Sequence, residues 1–171
     1  MKKQNMNDKG FSLVELIIVV AIMAILIVVL APQYLKYVER SRNSTDMQNA
    51  RTIMTAVETY AADPQSTLAL TSPFTIKITA AGGTANTISG DTNGAVAQAI
   101  SDAGLTLKDI KCSSKTTWAS YDIIGTIQPS GAIAWTYASY PADGGGDNQA
   151  LSNAMKGQAP PAAGGGGGAG N

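Results

Sequence analysis

The sequence predicts an α+β protein. A long N-terminal α-helix, membrane-spanning in its first half and amphipathic in its second, packs against a small antiparallel β-sheet, and a flexible Gly-rich tail follows. Three observations predict this. An unbroken apolar run, LIIVVAIMAILIVVLA, occupies residues 16–31. A helical repeat of apolar positions then continues to Ala62, and short alternating segments follow, separated by Gly, Pro and Ser.

Composition narrows the function before any motif is read. Lys+Arg 12 against Asp+Glu 12 give a formal charge of zero, so the phosphate-neutralising surplus of a nucleic-acid binder is missing. The absence of histidine excludes a Ser-His-Asp triad, a His-based zinc site and a His acid/base. The single cysteine, Cys112, excludes an intrachain disulfide and a multi-thiolate metal site. A non-enzymatic protein without cofactors is expected.

The first ten residues, MKKQNMNDKG, set Lys2, Lys3 and Lys9 against Asp8. A helix over residues 11–31 would be about 30 Å long at roughly 1.5 Å per residue, matching the hydrocarbon core of a bilayer. An ordinary secretory signal fits poorly, because the run is too long and no A-x-A site follows it. A plain anchor leaves Glu15 unexplained, since a carboxylate at bilayer depth costs on the order of 2–3 kcal/mol. Charge bias alone does not orient the span. The leader is net basic, but so is the stretch with Lys36, Glu39, Arg40 and Arg42 beyond it.

Past Pro32, residues Met47, Ala50, Ile53, Met54, Val57, Tyr60 and Ala61 fall on one helical arc, with Arg51, Thr52, Thr55, Glu58 and Thr59 opposite. This helix should stop near Ala62, before Asp63-Pro64. The charged patch Lys36–Arg42 reads as a solvated helix face, with charge pairing to neighbouring copies of the chain as the alternative. A β-rich head over residues 63–142 is expected next. Phe74–Ala80 alternates with Phe74, Ile76 and Ile78 inward. Gly82–Gly94 reads as loop, and Ala95–Ala103 as a short helix stopped by Gly104. Trp118–Gln128 and Ala132–Ala138 form a hairpin around Pro129-Ser130-Gly131, with Ile133, Trp135 and Tyr137 on one face. Residues 143–171 read as a flexible tail, with one helical turn at Leu151 and Met155 as its only candidate structure.

Asp143, Asp147 and Asn148 around three glycines, and Asp91-Thr92-Asn93-Gly94, are fragments of calcium-loop chemistry. Neither has the full spacing, so turn chemistry is the better reading and no metal is assigned. Cys112 reads as a buried hydrophobe; an intersubunit bond or a thiol activated by Lys111 and Lys115 is the alternative.

The string Lys9-Gly10-Phe11-Ser12-Leu13-Val14-Glu15 resembles the processing site of the type IV pilin family, prepilins and pseudopilins alike. The match lies in the short basic leader ending at Gly10, in Phe11 and Glu15, in the apolar run, and in a later helix-kinking proline, Pro32. The resemblance implies that residues 1–10 are a cleaved leader and 11–62 the long helix. It implies cutting by a prepilin peptidase between Gly10 and Phe11, N-methylation of Phe11, and assembly roles for Glu15 and Pro32. Without the leader, nine basic side chains would remain against eleven acidic ones.

The implied partners are further copies of the chain in a helical fibre, the prepilin peptidase, the pilus assembly ATPase with its platform machinery, and the cytoplasmic membrane before assembly. The implied function is that of a structural subunit of a type IV pilus, a surface fimbrium serving adhesion, twitching motility or DNA uptake. A pseudopilin of a type II secretion or competence machine is the alternative, followed by a membrane-anchored binding protein that never polymerises.

Overall fold

The computed structural model describes residues 11–66 and 69–157. The expected leader, residues 1–10 with Gly10, and the last part of the expected tail, residues 158–171, lie outside the described residues. The chain forms two compact units, divided between Val38 and Glu39.

Helix α1, Leu13–Ala62, runs through that division and carries Pro32 inside it. In the first unit, every large apolar side chain from Phe11 to Leu30, together with Tyr34, Leu35 and Tyr37, is exposed. Mean hydropathy reaches 3.4 there, and this helix is long and apolar enough to cross a membrane. In the second unit α1 is amphipathic. Ala50, Ile53, Ala56, Val57 and Tyr60 are buried. Ala61, expected on the inner arc, is exposed, and Ala56 is buried in its stead. The helix ends at Ala62 as expected, and Asp63 turns the chain by accepting Gln65 N–H on Oδ1 at 2.8 Å.

The sheet has four strands in the order β2-β1-β3-β4, all antiparallel. Strand β1, Phe74–Thr79, buries Phe74, Ile76 and Ile78 on the core face, because alternate side chains of a strand share a face. Strand β2, Thr87–Ser89, lies within the stretch expected to be loop and pairs with β1, Ile88 opposite Ile76. The signal was weak because the strand is short and is held from outside itself. Asn86 Oδ1 accepts Thr79 N–H at 2.9 Å, and its Nδ2 donates to the Leu107 and Ile110 carbonyls at 2.8 and 2.7 Å.

Helix α2, Ala95–Asp102, buries Val96, Ala99 and Ile100. Gly104, at φ +72°, closes it in a left-handed turn, with Leu105 N–H reaching back to the Ile100 carbonyl at 3.0 Å. Strands β3, Ser120–Ile127, and β4, Ile133–Tyr140, form the expected hairpin, with Ile133, Trp135 and Tyr137 on the core face.

The C-terminal boundary differs from expectation. Residues Ala150–Met155 form helix α3, whose Ala150 and Leu151 join the core cluster. Residues 147–155 therefore pack with the head, where the sequence pointed to a tail beginning at 143. Burying one leucine contributes about 1.5–3 kcal/mol, enough to hold a short polar segment whose other side chains add little.

Candidate assembly site and head anchor

Of the expected assembly residues, Phe11 precedes α1 and is 87% exposed. Glu15 stands in the first turn of α1, and its Oε2 accepts the Ser12 backbone N–H at 2.9 Å. This is half of a capping box, in which an acid on the first turn satisfies a donor that the helix itself leaves free. Pro32 lies within α1, and helix is assigned continuously across it. Proline supplies no N–H to the ladder, so the turn around it rests on its neighbours alone.

The candidate calcium ligands are bound up in turns. Asp143 Oδ1 accepts Gly145 N–H at 3.1 Å. Asp147 Oδ1 takes Ser139 N–H at 2.9 Å and Gln149 N–H at 2.8 Å. Asn148 Oδ1 accepts the Ser139 hydroxyl at 2.6 Å, while its Nδ2 donates to the Thr117 carbonyl at 2.8 Å. Asp147 and Asn148 thus tether the lead-in to α3 to strand β4. In the other fragment, Asp91 Oδ2 accepts Ala97 N–H at the start of α2.

The most connected polar site was not singled out by the sequence. Asp46, 0% exposed, accepts the Ser113 and Ser114 N–H groups at 2.6 and 2.9 Å and the Trp118 indole Nε1–H at 2.9 Å. Two helical turns earlier, Glu39 Oε1 accepts the Ser114 hydroxyl at 2.6 Å and the N–H groups of Lys115, Thr116 and Thr117 at 2.9, 2.9 and 3.1 Å. Arg42 lies 3.6 Å from Glu39 Oε2.

Two acids on one face of α1 thus clasp the loop 112–118, offering acceptors to backbone donors that no strand pairs. Burial works against the charge of Glu39, but the Ser114 hydroxyl and the loop N–H groups outweigh it and hold the carboxyl at about 2. The Lys36–Arg42 patch is therefore not simply a solvated face, since Glu39 turns inward. A signal existed: 39, 46, 53 and 60 share one heptad position, so both acids extend the stripe that Ile53 and Tyr60 bury.

Cys112 belongs to the same cluster. Its thiol lies 3.5 Å from Asp46 Oδ2, and burial, followed by the charge of Asp46, pushes it far up. That chemistry suits a buried hydrophobe rather than a reactive thiol. The Tyr121 hydroxyl is also enclosed there without a hydrogen-bond partner, and burial raises it.

An exposed apolar helix, headed by a carboxylate in its first turn and followed by an α+β head, defines a class: chains whose N-terminal helix is long and apolar enough to cross a membrane. Comparison with known proteins makes the class specific. Residues 5–31 match the model of the prokaryotic N-terminal methylation motif.

Type IV major fimbrial protein FimA of Dichelobacter nodosus is 46% identical over 56 residues, which are 33% of this chain and 36% of that protein. A second FimA of the same organism is 47% identical over 56 residues, 33% of this chain and 35% of its own. Type IV major pilin protein PilA of Myxococcus xanthus (strain DK1622) is 38% identical over 56 residues, 33% of this chain and 26% of that protein. These matches thus span about a third or less of the curated relatives' length. No solved structure matches. By motif and relatives the N-terminal segment of the chain is similar to that of type IV pilins.

Proposed function

We propose that this chain is the structural subunit of a type IV pilus. A prepilin peptidase cuts between Gly10 and Phe11, and the new amino group of Phe11 is methylated. The mature subunit waits in the cytoplasmic membrane with residues 11–31 as its anchor, head outside. An ATPase and its platform then extract it into a surface fibre of identical copies. The layout that serves this is a leader at 1–10, a helix at 11–62 and a head that begins at 63 and takes in α3.

One observation carries the reading. Over residues 11–31, which the methylation motif covers, the large apolar side chains are all exposed. Such a surface requires a cover, first lipid and then neighbouring helices. Glu15 is the exception within it, and a register-setting charge pair with a neighbour's Phe11 amino group gives it a purpose. Pro32 provides the point where the helix yields on assembly.

Mass spectrometry of sheared surface fibres tests the reading. An abundant chain beginning at N-methylated Phe11 is expected. Mature chain found only in the membrane, with no fibre, would overturn it. Processed chain confined to short fibres within a secretion machine would turn the reading to a pseudopilin.

A further inference from the structure

We propose that the neck of the head, the part of α1 with Arg40 and Arg42 and the loop residue Lys115 that Glu39 holds by its backbone, binds anionic phospholipid headgroups while the subunit is anchored in the membrane. This rests on the membrane-anchored stage proposed above and adds a specific lipid contact to it.

By sequence alone Glu39 cancels one of the neck's positive charges. In the structure that cancellation falls on Arg42, 3.6 Å from Glu39 Oε2, while Ser114 and the N–H groups of Lys115, Thr116 and Thr117 occupy Oε1, which leaves Arg40 and Lys115 uncompensated. The Lys115 backbone N–H lies 2.9 Å from the carboxylate that Arg42 approaches to 3.6 Å, so the clasp ties the backbone of a lysine distant in sequence to the stretch of α1 that carries the arginines. Arg40 and Lys115 are exposed, and neither has an ionic partner among the described residues. The outward surface of the neck is therefore basic.

Its place in the chain selects the partner. The first unit ends in exposed Tyr34, Lys36 and Tyr37, the aromatic and basic composition of a membrane interface. In the sequence Arg40 and Arg42 follow Tyr37 by three and five residues, the juxtamembrane positions of a chain anchored by residues 11–31. A basic juxtamembrane surface attracts anionic lipid.

The test uses the full chain reconstituted in vesicles of phosphatidylcholine and in vesicles of an equal mixture of phosphatidylcholine and phosphatidylglycerol. Amine acetylation of each lysine is followed by mass spectrometry. Lys115 should be modified about fivefold more slowly in the anionic vesicles, as expected for one surface cation, and high salt should abolish the difference. Lys156 should be modified equally in both. Arg40→Gln, which leaves the Glu39 clasp intact, should reduce the protection of Lys115.

Equal modification of Lys115 in both vesicles, with the chain resistant to alkaline extraction, overturns the headgroup contact alone. A chain that alkali strips from both vesicles overturns the membrane-anchored reading and the contact with it. Protection that arises only in assembled fibres assigns the neck to a neighbouring copy and equally overturns the lipid contact.

Discussion

The indole Nε1–H of Trp118 donates to Asp46 Oδ2 across 2.9 Å, with both residues at 1% exposure or less. Two halves of the head are joined there, the amphipathic part of α1 and the loop that leads into β3. Asp46→Ala would leave the indole and the Ser114 N–H enclosed without acceptors, together with the part-buried N–H of Ser113. Each orphaned donor costs about 1–3 kcal/mol, so the total loss should be about 3 kcal/mol or more. Asp46→Asn keeps one acceptor oxygen and should lose less. Denaturant unfolding of the detergent-solubilised chain, followed by Trp fluorescence, checks both values.

Glu39 sets a pH window. Its carboxyl is lowered from 4.5 to about 2 in the folded head, so its contribution to stability is full above 4.5 and is lost as pH falls toward 2. Glu39→Gln should remove that part of the acid dependence and flatten the stability profile between those limits. A variant with an unchanged acid limb would show that the clasp adds nothing to stability.

Gly125 is where the sheet admits an aromatic ring. A Cβ built there would lie 2.2 Å from Phe74 Cζ, and the Phe74 ring meets Trp135 edge-on with centroids 5.7 Å apart. Gly125→Ala should therefore cost about 1–3 kcal/mol, the range for forcing an extra methyl into a packed core. Phe74→Leu in the same background should recover part of the loss. Thermal melts of the single and double variants provide the comparison.

Leu151 tests where the head ends, and it marks the limit of what the sequence made legible. The apolar run, the alternation of Phe74, Ile76 and Ile78, and the hairpin were readable because each pattern is local and periodic. Leu151 sits in a segment dominated by Gly, Asp, Asn and Ala, and only its burial in the core cluster, with α3 against β4, makes it core. Asp46 and Glu39 escaped for a related reason. An acid on an amphipathic helix reads as solvent-facing until the loop that supplies its donors is in place. Leu151→Ala should destabilise the head by about 2–5 kcal/mol. A loss below ~0.5 kcal/mol would return residues 147–155 to the tail.

Glu15 has two separable duties, and two substitutions distinguish them. Its Oε2 holds the Ser12 N–H at 2.9 Å, which starts α1, and that task needs an oxygen but no charge. The proposed docking role needs the charge, because only a carboxylate neutralises the amino group of a neighbour's Phe11 within an apolar bundle. Glu15→Gln preserves the oxygen and the size, whereas Glu15→Ala loses both. Both variants should insert and be cut after Gly10, since the leader and the apolar run are unchanged. On the docking role, both should assemble poorly when each is the only subunit present, despite the capping bond that Glu15→Gln retains. Surface fibre and membrane-bound mature subunit, measured side by side, read this out. Normal fibres from Glu15→Gln with few from Glu15→Ala would confine Glu15 to capping its own helix. Normal fibres from both would leave register to the apolar packing of residues 11–31 alone.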